Sequence, residues 1–157
     1  MRKIIKASML MILAVTALFL SGPLTAGMAE VGACDFGKIG SAAPARVTHV
    51  PNRMIPIALN SVRVIDKNIS RKIMPHAVFA RTTRTGTLEV IVRLRNCTNF
   101  MQEVLVRTSF MDANQQPAEP ISVWQRVFLA PGSMQTYNEK SMKPGVGYYL
   151  IEVDQGG

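Results

Sequence analysis

Thr87–Asn96 reads TLEVIVRLRN, and this alternation decides the fold class. Leu88, Val90, Val92 and Leu94 fall on one face, and Glu89, Ile91, Arg93 and Arg95 on the other. A period of two is the pattern of a half-buried strand. The signal recurs on both sides. Upstream, Ser61–Asp66 largely alternates and ends in an Asp-Lys-Asn turn; His76–Arg84 carries Val78 and Phe79 before a turn at Arg84-Thr85-Gly86. Downstream, Gln102–Asp112 sets Val104, Val106, Thr108 and Phe110 inward and ends in the turn Asp112-Ala113-Asn114-Gln115. Ile121–Leu129, containing Trp124, is the next strand, and Ala130-Pro131-Gly132-Ser133 turns the chain into a short strand, Met134–Glu139. Gly147–Val153 closes the series. Asn68–Met74 allows a helical turn or two, and no longer helical period follows the leader. About seven short strands between turns predict an all-β fold, an immunoglobulin-like antiparallel sandwich over residues 60–157. Trp124 is expected to pack in the core or against a sheet.

The N-terminus carries a different signal. Arg2, Lys3 and Lys6 precede the uncharged run Ala7–Leu20, ASMLMILAVTALFL, which breaks at Ser21-Gly22-Pro23. That is the order of a bacterial export signal. The run is shorter than the roughly 20 apolar residues of a membrane-spanning helix, and Gly-Pro stops a helix. Gly27-Met28-Ala29 supplies small residues for cleavage before Glu30, so residues 1–29 are read as a signal peptide and the destination as the periplasm. An uncleaved anchor is the rival. Lipidation is a further alternative: Leu18–Gly22 resembles a lipobox but has Pro23 in the cysteine position, which leaves Val31-Gly32-Ala33-Cys34 and an outer-membrane lipoprotein anchored through Cys34. Glu30–Leu59, with Gly32, Gly37, Gly40, Pro44, Pro51 and Pro56, reads as an extended Gly/Pro/Ala-rich tail. His49-Val50-Pro51 and Met54–Ile57 are its candidate edge pieces.

Without the leader, 128 of the 157 residues remain, enough for one domain with its own core. Removing Arg2, Lys3 and Lys6 from the net +8 leaves +5. This modest basicity suits anionic envelope components: lipid headgroups, lipopolysaccharide phosphates or acidic protein faces. The export signal, and the lack of a run of five or six cations, argue against nucleic acid. The two cysteines, Cys34 and Cys97, have two readings. One is a disulfide across a loop of about 60 residues, as an oxidising compartment favours. The other is a pair of free thiols.

The span Thr87–Val153 resembles the YcfL-type family of small Gram-negative envelope lipoproteins. The likeness rests on the Asn-rich turn Arg95-Asn96-Cys97-Thr98-Asn99, the strand Val106–Asn114 with its aromatic and acid, the Trp-bearing strand Trp124–Leu129, and the Pro-Gly-Ser turn before a short polar strand. The family implies an exported immunoglobulin-like sandwich with no established enzymatic role. Members are expected to carry a lipid-bearing cysteine where this chain has Pro23, and the tail Glu30–Leu59 is longer here.

Catalytic material is sparse. His49 and His76 lack a neighbouring Cys/His/Asp set at ligand spacing, and neither a Gly-x-Ser-x-Gly elbow nor a phosphate-cradling glycine loop is present. The expectation is no enzyme, no cofactor and no metal. Arginine distribution is the feature above background. Arg93 and Arg95 share a strand face, and Arg81, Arg84, Arg107 and Arg126 fall on candidate neighbours. Aligned, they form a basic stripe, with Arg93, Arg95, Arg107 and Arg126 as the candidate partner-binding set. The plain alternative is a solvated sheet face with cross-strand ion pairs. The function expected is a non-catalytic periplasmic structural or interaction module, a component or accessory of an envelope assembly of secretion or conjugation type. It would bind protein partners and touch anionic lipid or lipopolysaccharide. A carrier or sensor of a small anionic ligand is the alternative.

Overall fold

In the computed structural model, which describes residues 34–36, 41–50 and 52–156, TLEVIVRLRN is a strand over its full length. The leader at 1–29 and its cleavage point lie outside the described residues. In chain order the strands are β1 Ala45–Arg46, β2 Ile55–Ile57, β3 Val62–Val64, β4 Ile73–Thr82, β5 Thr87–Asn96, β6 Gln102–Met111, β7 Gln125–Leu129, β8 Met134–Pro144 and β9 Tyr148–Gln155. They form two sheets in a sandwich-like arrangement. The first runs β1-β9-β6-β7, with β3 also on β9, and the second runs β2-β4-β5-β8. Every pairing is antiparallel except β3 with β9, which is parallel.

Alternation explains the core. Leu88, Val90, Val92 and Leu94 of β5 are buried, and they face Val104, Val106 and Phe110 of β6 with Tyr149, Ile151 and Val153 of β9. Val78, Ile73 and Tyr137 complete the layer from β4 and β8. Burying one such aliphatic or aromatic side chain contributes roughly 1.5–3 kcal/mol. The β4–β5 turn relies on Gly86, whose φ of 78° favours a residue without Cβ.

The seven strands read from the sequence are β3 to β9, with changed ends. The strand expected over Ile121–Leu129 begins only at Gln125. Pro117 and Pro120 remove two ladder donors just upstream. There the chain follows β6 irregularly, through Ala118 N to Phe110 O at 3.0 Å and Ser122 N to Thr108 O at 3.1 Å. β8 reaches Pro144 instead of stopping at Glu139, because Thr87 and Glu89 continue the pairing past a bulge. The turn expected within Asn68–Met74 is a short 3₁₀ turn, Ile69–Arg71, whose amides Asp66 caps.

The two additional strands come from the tail. β1 pairs with β9 and β2 with β4, so the described part of 30–59 is tied to both sheets. Met54–Ile57 supplies β2, whereas His49-Val50-Pro51 supplies no strand.

Candidate functional site

The arginine set divides between the two sheets because β5 hands the chain to β6 in the other layer. Arg93 and Arg95 of β5 point out from the second sheet; Arg107 and Arg126 point out from the first. A single stripe of all four is therefore corrected: they occupy opposite outer faces. Arg84 sits in the β4–β5 turn.

On the first sheet Arg63, Arg107 and Arg126 face carboxylates. Arg107 Nε and Nη2 each lie 2.8 Å from Glu152 Oε2, and the guanidinium carbon sits 4.2 Å from the centroid of the Trp124 ring. Arg63 stands in register on the other side of Glu152, with 4.0 Å between Nη1 and Oε1. Arg63, Glu152, Arg107 and Trp124 thus form one row across β3, β9, β6 and the start of β7. Glu152 is 8% exposed, so losing Arg107 would leave a buried carboxylate poorly paired, a costly change. Arg126 Nη1 lies 3.1 Å from Glu103 Oε1. The arginine of that pair is largely exposed, so solvent screens it and it is worth about 1 kcal/mol at most. Trp124 is a sheet-packing residue, as expected, but on the outer face.

On the second sheet the balance differs. Glu89 takes the Arg81 guanidinium as a close partner and stands opposite Lys140. Arg93 stands between Ala77 and Thr136, and Arg95 between Met74 and Met134, so neither has a carboxylate in register. Arg93 lies 5.8 Å over the Phe79 ring, a cation–π contact rather than an ion pair. Arg95 Nε is buried with no hydrogen-bond partner among the described residues. Arg81, Arg93, Arg95 and Lys140 therefore share this face with one acid, Glu89, around the half-buried rings and chains of Phe79 and Ile91.

The remaining candidates separate. His49 Nδ1 lies 3.3 Å from Thr82 Oγ1, whereas His76 is exposed at the other end of β4. Among the described residues no group of three or more His, Cys, Asp or Glu could hold a metal ion. Cys34 and Cys97 form a disulfide, with Cα atoms 6.0 Å apart. Burial pushes the Tyr137 phenol up to about 12, although a hydrogen bond with Thr108 works against the shift. Burial likewise raises the Tyr149 phenol. Both are interior groups far from their titration range at neutral pH. A concavity of about 460 Å³ is lined by Phe36, Val62, Arg63, Ser70, Arg71 and Ile73.

Sequence reasoning missed Glu119. Flanked by alanine and proline in a polar loop, it reads as a solvated acid, yet it is 7% exposed. Its carboxylate accepts from Met142 N and Lys143 N, each at 2.9 Å, on the free edge of β8. A groove of about 370 Å³ runs beside it along Ile121, Val123, Gln125, Glu139 and Met142. In the sequence Phe79 reads only as a strand residue; its place beneath Arg93 depends on the β4–β5 register.

No family model matches this chain, and no curated protein does. Among solved structures it is similar to the Campylobacter jejuni protein cj0090, at 15% identity and a TM-score of 0.46, over 61% of this chain and 98% of that one. It is also similar to a DUF1425 family member from Shewanella sp. pv-4, at 15% identity and a TM-score of 0.48, over 54% of this chain and 79% of that one.

Proposed function

We propose that this chain is a YcfL-type, non-catalytic periplasmic interaction module, a component or accessory of an envelope assembly of secretion or conjugation type, which docks through the outer face of the second sheet. One observation carries the reading. Arg107 and Arg126 on the first sheet are matched by Glu152 and Glu103, whereas Arg93 and Arg95 have no carboxylate in register. A guanidinium held in place without an anion is available to a carboxylate or phosphate presented by a partner. The export signal supports a periplasmic location, and a Cys34 sulfur engaged by Cys97 has no valence left for a lipid thioether. Nucleic acid is not among the partners this location offers.

Cross-linking in intact envelopes tests the reading. A stoichiometric protein partner is expected with the wild type and with R126E, on the opposite face. It should fall about tenfold with R93E/R95E, the scale of losing one or two charge-assisted contacts. An unchanged cross-link in R93E/R95E would sink the docking face.

The carrier of a small anion is the second reading, supported by the cavity that Arg63 and Arg71 line. It expects a monomer that retains an anion through purification and loses it on R63A/R71A. The sandwich interior itself is filled by side chains.

A further inference from the structure

The end of the sandwich where β5 gives way to β6, and β7 to β8, holds out large apolar side chains on a stiff frame. Phe100 is 74% exposed and its neighbour Met101 69%, at the tip of the β5–β6 connection. Phe128 and Met134, also exposed, border the same end. Exposed apolar residues in mobile loops are ordinary. This tip, by contrast, is braced. Asn96 Nδ2 donates to Phe100 O at 2.7 Å, the Thr98 hydroxyl donates to Asn96 Oδ1 at 2.8 Å, and Cys97 is fixed by its disulfide. Cations stand at its base: Arg95, and Lys72, whose carbonyl accepts from Cys97 N at 2.8 Å. Of the nearby acids, Glu103 is paired with Arg126, Asp66 accepts from the Asn68 and Ile69 amides, and Asp35 has a partner of its own.

The disulfide supplies a second, independent observation. Cys34 is joined to Cys97 at this same end. The uncharged run Ala7–Leu20 ends 14 residues before Cys34. Even a fully extended connection spans at most about 50 Å. A bilayer that holds the leader during export therefore lies within that reach of the end that carries Phe100 and Met101.

We infer that this end is a membrane-contact surface: Phe100 and Met101 enter the interfacial layer of an anionic bilayer while Lys72 and Arg95 meet its phosphates. The geometry is that of a peripheral contact, with apolar side chains inserted and cations at headgroup depth. Arg95 borders both this surface and the protein-docking face, whereas Phe100 and Met101 belong to this surface alone and Arg93 to the docking face alone, so either can fail by itself.

The test uses the exported chain as recovered from cells, with vesicles of phosphatidylethanolamine and phosphatidylglycerol. The wild type is expected to co-sediment with them. F100S/M101S should lower the bound fraction about tenfold or more, consistent with losing several buried methylene equivalents. I121S/V123S, which removes exposed apolar groups elsewhere, should bind as the wild type does. Phe100→Trp should show a blue shift in emission on adding vesicles. Both loss variants change exposed positions, and an unchanged thermal midpoint checks their folding. Failure of the wild type to bind, or equal binding by F100S/M101S, would overturn the inference. So would a dimer that F100S/M101S dissociates, which would assign the tip to a second copy of the chain. Retention of the envelope cross-link by F100S/M101S separates this surface from the arginine face.

Discussion

At the residue scale, Asn96 is a buried polar tie between two connections. It is fully buried, and its Nδ2 reaches the carbonyls of Phe100, Leu129 and Ala130 at 2.7, 3.0 and 3.0 Å. Its Oδ1 accepts from Thr98 N and Thr98 Oγ1 at 2.9 and 2.8 Å. One amide therefore ties the β5–β6 connection to the β7–β8 turn, and no other side chain of this size offers both donors and acceptor. Asn96→Ala leaves three carbonyls short of a donor and should cost about 2–3 kcal/mol. Asn96→Asp should cost more, because it aims a carboxylate oxygen at those carbonyls. Urea unfolding of the two variants checks the order; an aspartate variant as stable as the alanine variant would contradict the assignment. The pattern Asn96-Cys97-Thr98 matches a glycosylation sequon in the sequence, but burial of this amide leaves no room for a sugar.

At the element scale, an edge is guarded by a side chain from the loop between β6 and β7. β8 ends the second sheet, and an unpaired edge invites another strand. Glu119 closes part of it by accepting from Met142 N and Lys143 N. Gln125 Nε2 adds a bond to Glu139 Oε2 at 2.7 Å on the same flank. Glu119→Ala should cost about 1–3 kcal/mol, and should speed amide exchange at Met142 and Lys143 while leaving the β5 amides protected. Uniform acceleration across β5 and β8 would instead mean that Glu119 supports the whole sheet.

What was legible at this scale follows from period. β5 and β6 alternate strictly, so their extents and inward residues could be read directly from the sequence. The sequence around Trp124 reads as a longer strand than forms, because two prolines upstream reroute the hydrogen bonds without disturbing hydrophobicity. The arginine face was half legible. Alternation places Arg93 with Arg95 and Arg107 opposite Thr108, but it cannot say which sheet a strand joins. That depends on long-range pairing, and it separates the two pairs of arginines. Glu119 left no local trace because its partners are backbone amides more than twenty residues away. The parallel contact of β3 with β9 was equally hidden, since a parallel register leaves no hairpin turn to recognise.

At the scale of the whole molecule, the segment before the sandwich works as a strap. From Ala45 to Val64 the chain pairs with β9 in the first sheet, with β4 in the second, then again with β9. Backbone bonds fill the intervals: Ala43 N to Asn60 O at 2.9 Å, Val47 N to Gly147 O at 2.8 Å and Asn52 N to Thr82 O at 2.9 Å. The Cys34–Cys97 bond anchors the start of this strap across a sequence separation of 63. Two effects follow, and they can be told apart. Closing so long a loop restricts the unfolded chain, which the entropy model values at about 4 kcal/mol. Holding the strap in place would act on the folded chain instead. Since the strap has its own ladder bonds beyond Ala43, the first effect should dominate. C34S/C97S should therefore lower the urea midpoint while the Val47 amide keeps its protection against exchange. A collapse of Val47 protection at little cost in global stability would reverse that assignment and make the disulfide the clasp that keeps the strap bound to both sheets.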